Sequence, residues 1–534
     1  MKIYHNQQGF IAVRKEVHAV LLSVCSVFLV FTFTSCDDWF DIKPETELVE
    51  EDFWKSKSDV ESAVTACYRA MEEPSFMERL IVWSEVRSDN VLKGTSLTSD
   101  MNDILNATLD ASNGYTSWGP FYTVINYCNT VLEKAPVVRN LDPNFKEGEL
   151  RSYIAEVKTL RALCYFYLVR TFNNVPYITQ AYTDDTREFS VPQTNGDNLV
   201  DSLILDLEGI SDNYAKSVYS NTGDTKGRIT AKAMWSLLAD MYLWRNNYDK
   251  CIDYCDRVLN TSTNPLSQES STDYNRLVFG TGNSKESIFE LQFDTETPNY
   301  VLNEMYGTTG GRYSYNQLSS LDFSNYDLFI DRNSDLRYKD HLYVGGSSQI
   351  IPIKKYVSYR ENNNSGSVSA SDYVTNANTQ HWIFYRLSDI YLMKAEALVE
   401  RNSGTDLTDA LVLVSKTYDR ANPSAGTGSL SASDYSSQSQ MRELVFNERQ
   451  REFLFEGKRY YDLLRRIRRE GNLGSIVSTY LMRKYNSQDQ ATVTTRLNTL
   501  NALYMPINEN ELKVNRELKQ NPFYEQSSDI EQNN

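Results

Sequence analysis
The sequence predicts a mostly α protein: a tetratricopeptide-like helical-repeat scaffold joined to a loop-rich, irregular ligand-binding half that contains short strands. Three observations carry this. Residues 227–260, "GRITAKAMWSLLADMYLWRNNYDKCIDYCDRVLN", follow the spacing of a helix–turn–helix repeat. Two other stretches repeat that spacing. Between them, residues 261 to about 380 lose helical periodicity altogether.

In the first stretch Trp235, Leu238, Ala239 and Tyr242 fall at the packing positions of a first helix. Cys251, Cys255 and Val258 take those of a second, and Asn246–Asn247 marks the turn. The C-x-x-x-C pair could bind a metal, but no histidine lies near it in sequence, and both thiols sit at packing positions, which favours core cysteines. In "AEVKTLRALCYFYLVRTF" the same spacing puts Leu160, Leu163, Cys164 and Tyr167 on one face. In "YLMKAEALVERNSGTDLTDALVLVSK", Ala395 and Leu398 open a helix, and a longer turn leads to Ala410 and Val414. One such unit cannot bury its own face, so several must stack.

The interruption is rich in Ser, Thr, Asn and Gly. "SIFELQF" from Ser287 and "IIPIKKYVSY" from Ile350 alternate as strands do. Its many tyrosines, Tyr300, Tyr306, Tyr313, Tyr315, Tyr326, Tyr356 and Tyr359, argue for ordered loops on a rigid scaffold rather than disorder.

The N-terminus sets the address. Lys2, Arg14 and Lys15 precede an apolar run, Ala19 to Phe33, that is short for a membrane span. Thr34 and Ser35 then lead to Cys36, followed by Asp37, Asp38 and Asp41. A signal ending in small residues and a cysteine resembles a bacterial lipoprotein signal. That resemblance implies a lipid on Cys36 and, from the acids, export to the outer face. A plain secretory signal and a single-span anchor are the alternatives.

The whole chain of 534 residues carries −17, and residues 1–35 carry +2, so the mature chain carries −19. That charge disfavours nucleic acid and anionic membrane surfaces. Five cysteines remain after Cys36, an odd number that describes no disulfide framework.

In "NERQREFLFEGKRYYDLLRR", Glu448, Glu452 and Glu456 recur every four residues on one helical stripe. They read as catalytic carboxylates or, with Arg451 and Arg459 three residues beyond Glu448 and Glu456, as ion pairs. The abundance of arginine favours pairing. The following Arg465, Arg466, Arg468 and Arg469 read as a solvated or salt-bridged face.

Together, "AEVKTLRALCYFYLVRTFNNVPYI", "DRNSDLRY", "NERQREFLFEGKRYYDLLRR" and the closing "LYMPINENELKVNRELKQNPFY" resemble the SusD/RagB family, in the family's order. The resemblance implies a surface-exposed outer-membrane lipoprotein without catalytic activity or cofactor. Such proteins bind a glycan, less often a peptide, and cap a SusC-like TonB-dependent transporter. It also divides the chain: a signal peptide at 1–35, a helical region at 36–260, a loop-rich then helical region at 261–524, and a tail at 525–534. A surface glycoside hydrolase and a protein-binding repeat adaptor are the other readings; the mature chain offers an enzyme only His341 and His381.

Ligand contacts are expected from two places. In "RLIVWSEVRSDNV", Trp83 is a candidate sugar platform with Asp89 and Asn90 as hydroxyl-bonding neighbours; equally, Trp83 can fill the core and Asp89 can cap a helix or turn. In the interruption, Tyr306, Tyr313 and Tyr315 are the candidate partners, around Gly310 and Gly311, with Arg360 as a hydrogen-bonding fork.

Overall fold
Helical hairpins stack where the sequence repeats its packing residues. The computed structural model describes residues 53–183, 190–210, 214–307, 311–315, 328–330, 334–343, 351–361, 372–424 and 430–525. The apolar run, Cys36 and the tail beyond residue 525 lie outside the described residues, as does Gly310.

Helices α1 (Lys57–Glu72) and α2 (Pro74–Ile81) open the scaffold, and a π-helical turn, Val82–Val86, extends α2. Then come α3 (Gly119–Leu141) and α4 (Glu147–Phe172), α5 (Ala231–Trp244) and α6 (Tyr248–Asn260), and the short α7 (Tyr300–Tyr306). After the interruption follow α8 (Leu387–Arg401), α9 (Asp406–Ala421), α10 (Gln438–Glu452) and α11 (Arg459–Glu470). The pairs α3–α4, α5–α6 and α8–α9 are antiparallel neighbours, and α6 packs directly on α8 across the expected division at 260. The described residues from 56 onward form one compact unit.

Local chemistry sets the helix ends. Thr230 caps α5 by accepting from the Ala233 N–H, and Asn247 caps α6 by accepting from Lys250 at 3.3 Å. Between them Asn246 takes a left-handed φ of 57°, which Asn tolerates better than most residues. Asn402 ends α8 in the same way, with φ 49°.

Leu238, Ala239, Cys251, Cys255 and Val258 are buried between the hairpins, as are Leu160, Leu163, Cys164, Ala395, Leu398, Ala410 and Val414. The five described cysteines are free and buried. Trp235 differs: it is only half-buried, although its neighbours on α5, Ala231, Leu238 and Ala239, are buried. Tyr242, further along, stacks on Tyr254 with ring centroids 5.7 Å apart.

The interruption returns to the scaffold through short strands. We label them β1 (Val91–Lys93), β2 (Ser287–Leu291), β3 (Tyr313–Tyr315), β4 (Ile351–Pro352) and β5 (Trp382–Arg386). β2 pairs antiparallel with β5, which runs straight into α8. β1, β3 and β4 form an antiparallel sheet in the order β1–β3–β4, with Val91 opposite Tyr315 and Tyr315 opposite Ile351. The strand expected from Ile350 is broken. Its second part, Ser358–Arg360, pairs instead with Tyr373–Thr375, after a bend at Tyr356 with φ 69°. Among the described residues no helix is long and apolar enough to cross a membrane.

Leu238→Ala should therefore cost about 2–5 kcal/mol in urea unfolding. Trp235→Ala should fall below the about 3–5 kcal/mol of a fully enclosed aromatic. A larger loss at Trp235 than at Leu238 would mean that the hairpin buries the opposite stripe.

Candidate functional site
The carboxylate stripe was expected to pair, and it does so in the interior. α10 ends at Glu452, so Glu456 stands beyond it on the turn 453–457, where Phe455 and Gly457 both have positive φ. Arg386 spans both sides of this turn, donating to Glu452 Oε1 at 2.7 Å and to both Glu456 oxygens at 2.8 and 2.9 Å. Arg337 bonds Glu448 at 2.7 Å and Glu452 at 3.1 Å, and Lys355 reaches Glu456 at 2.6 Å. Arg420 joins Glu452 to Glu286. Burial opposes ionisation of Glu452, yet Arg420, Arg386 and Arg337 hold its carboxyl well below the usual range.

Arg451 pairs with Glu448 at 2.8 Å as expected. Arg459 does not pair with Glu456. The helix stops between them, and Arg459 instead grips Asp89 through two bonds of 2.8 and 2.9 Å. The arginines of α11 form a salt-bridged face: Arg465 with Glu396, Arg466 with Glu443, Arg468 with Asp197, and Arg469 with Glu396 and Glu400.

The residues expected to touch ligand lie in the core, which corrects their assignment as contacts. Trp83 has 0% of its surface exposed. It stacks on Phe121 at 4.7 Å, meets Phe172 edge-on at 5.2 Å, and donates its indole N–H to the Tyr115 carbonyl at 2.7 Å. A ring enclosed on all sides cannot carry a sugar. Asp89 is held by Arg459. Asn90 donates to Glu85 at 2.7 Å and accepts from Gln450 at 2.8 Å. Tyr306, Tyr313 and Tyr315 are buried, and Tyr306 and Tyr315 meet the Phe455 ring at 5.7 and 6.3 Å. Arg360 is buried, with its guanidinium 3.3 Å from Asp340 and its backbone N–H on Asn275.

The two regions do meet, as support rather than as contacts. β1 follows Trp83, Asp89 and Asn90 closely, and it pairs with β3, which carries Tyr313 and Tyr315. Beneath them Glu85 accepts from the backbone N–H groups of Phe455 and Gly457 at 3.0 and 3.2 Å. Burial pushes Glu85 up to about 7, although Asn90 and these N–H groups favour the ionised form.

The surface above is set by α7. Its inner face buries Leu302, Met305 and Tyr306. Tyr300, Asn303 and Glu304 lie at i, i+3 and i+4 and form its outer face. Tyr300 is 59% exposed. Asn303 donates to Asn378, and Arg312 donates to Glu304 at 2.7 Å. Lys93, at the end of β1, is exposed opposite Tyr313. An exposed ring beside an amide, a carboxylate and a guanidinium is a set that stacks on apolar faces and bonds to hydroxyls. The sequence offered Tyr300 only as one tyrosine among seven; the i, i+3, i+4 pattern on a seven-residue helix was too short to find. A separate cavity of about 370 Å³ is lined by Gln193, Gln520 and Asn521, but these amides are spent on backbone groups.

A family model described as the SusD family matches residues 338–524. A second, described as "Starch-binding associating with outer membrane", matches residues 38–243. The chain belongs to the SusD/RagB family. Among SusD relatives, SusD-like protein P2 of Formosa agariphila is 24% identical over 475 residues, covering 82% of this chain and 89% of that protein. A SusD-like protein of Bacteroides ovatus is 25% identical over 491 residues, covering 83% and 82%. A solved SusD homologue from Bacteroides thetaiotaomicron superposes with TM-score 0.71 at 17% identity, covering 90% of this chain and 99% of that one. Surface glycan-binding protein A from Bacteroides uniformis does so with TM-score 0.65 at 20% identity, covering 88% and 100%. The SusD fold, helical with few short strands, is thus the architecture described above.

One consequence is acid-sensitive. Burial opposes ionisation of Glu396, but Arg465, Arg469 and Arg449 bring its carboxyl down from 4.5 to about 2. A depressed carboxylate adds stability above its unfolded value and loses it as pH falls through the folded one. Glu396→Gln should cost on the order of 3 kcal/mol at neutral pH, with the gap to wild type closing as pH falls from about 4.5 toward 2. Urea unfolding across that range checks this, and a gap independent of pH would contradict it.

Proposed function
We propose that this SusD-family protein is a surface-exposed outer-membrane lipoprotein, anchored through acyl chains on Cys36. It captures an oligo- or polysaccharide and delivers it to a SusC-like TonB-dependent transporter. The observation that carries this reading is the exposed aromatic and polar face of α7, raised on a fold whose family model is described as starch-binding. The likeness to a surface glycan-binding protein supports the same ligand class. The helical region, 36–260, faces the transporter, and the region 261–524 presents the ligand face.

The mechanism is physical capture, without catalysis or cofactor. Tyr300 stacks on the apolar face of a pyranose ring, while Asn303, Glu304 and Arg312 exchange hydrogen bonds with its hydroxyls. Burying an aromatic against sugar is worth about 1.5–3 kcal/mol. A few such contacts, less the cost of association, correspond to micromolar to millimolar affinity.

Two experiments test this. A glycan array with the soluble mature protein identifies the ligand, and calorimetry then compares variants. Tyr300→Ala should weaken binding tenfold or more, about 1.4 kcal/mol, without lowering the melting temperature. Trp83→Ala should lower the melting temperature instead. Unchanged affinity in Tyr300→Ala would move the site off α7, and release of product sugars from the glycan would make the protein a hydrolase. For the anchor, Cys36→Ala should release cleaved, soluble protein from the membrane fraction; retention with the signal uncleaved would argue for a transmembrane anchor.

A further inference from the structure
A second cavity has a different chemistry. It measures about 50 Å³ and is lined by Arg87, Tyr460, Lys484, Tyr485, Arg496 and Phe523, among others. At about 10–15 Å³ per water, it holds a few waters or one small ionic group. Three of its lining side chains are cations and none is acidic. In a chain with seventeen more acidic than basic residues, such a concentration of unbalanced positive charge is unusual.

The cations are also poorly satisfied. Arg87 is 8% exposed. One arm of its guanidinium donates to the Leu503 carbonyl, and its plane lies 4.2 Å from the Tyr460 ring centroid. The other arm, Nη1, is buried without a hydrogen-bond partner among the described residues. Lys484 donates to the Val86 carbonyl at 3.0 Å and forms no ion pair among the described residues. Arg496 is half-buried at the rim beside Leu497 and Phe523. Asp89, the acid whose charge reaches Lys484, is already gripped twice by Arg459. Burial pushes the Lys484 ammonium down to about 7, with Asp89 acting against the shift and Arg87 adding to it. An unpaired N–H beside a desolvated amine costs free energy that a negative group in the cavity would offset.

We propose that this cavity is an oxyanion site, which takes one carboxylate or sulfate group. The planar guanidinium of Arg87 matches such a group, and Lys484 and Arg496 supply the remaining charge. The volume admits the anionic group but not a sugar ring. The group therefore arrives either as a free anion or as the protruding acid of a uronic or sulfated sugar whose ring stays outside, against Phe523. The site is separate from α7 and holds whether or not α7 binds glycan.

The test titrates folded, full-length mature protein by calorimetry with sodium sulfate, acetate and glucuronate, at matched ionic strength and at pH about 6, where Lys484 keeps its proton. Glucose is the neutral control. Saturable binding of at least one anion and none of glucose is expected. Glucuronate binding tighter than acetate assigns the group to a sugar, and equal or tighter binding of the simple anions assigns it to a free ion. Arg496→Gln, at the half-exposed rim, should weaken binding about tenfold with an unchanged melt. Arg87→Gln should abolish it; where that variant does not fold, Arg496→Gln decides. Absence of saturable anion binding, or an Arg496→Gln affinity equal to wild type, would overturn the proposal.

Discussion

Arg386 clamps the turn between α10 and α11, and the loop-rich half is built on that clamp. The turn carries Glu452 on one side and Glu456 on the other, and a single guanidinium holds both. Three carboxylates this deep are tolerable only if every one is paired. Removing one partner strands a charge at a cost of about 3–5 kcal/mol. The partners come from four separate segments, around residues 337, 355, 386 and 420. The network thus fixes where the interruption must return to the scaffold.

What the clamp positions is Phe455. With the turn fixed and its N–H groups bound to Glu85, the Phe455 ring lies against Tyr306 of α7 and Tyr315 of β3. Tyr356, next to the clamped Lys355, stacks on Trp382 of β5 at 5.8 Å. The result is a buried aromatic layer between the ion network and the surface. α7 rests on that layer and turns Tyr300 outward. Loops positioned by a rigid base are a common basis for binding, and here the base is charge-paired below and aromatic above.

The scaffold was legible in the sequence because helix packing is periodic: Leu238, Cys251, Ala395 and Val414 are buried where their spacing puts them. The strand at Ser287 was legible from its alternation, although both of its faces are buried in the fold. Failures came where spacing says nothing about direction. Trp83 in an aliphatic run reads alike as core or platform, and only Phe121 and Phe172, distant in sequence, decide it. Tyr306, Tyr313 and Tyr315 were placed in the right neighbourhood but on the wrong side of the surface. Arg459 was assigned by helical spacing to Glu456, across a helix end that Phe455 conceals. The cationic cavity was invisible in sequence, since residues 87, 484, 496 and 523 meet only in the fold.

The clamped turn supports the face that carries Tyr300. Hydrogen exchange followed by mass spectrometry on Phe455→Ala tests this, because that change removes the ring on which Tyr306 and Tyr315 rest and touches no charged side chain of the network. Exchange should quicken in residues 300–307, 311–315 and 91–93, with the α5–α6 hairpin unchanged. Uniform acceleration across the unit, or unaltered exchange in α7 and β3, would contradict it.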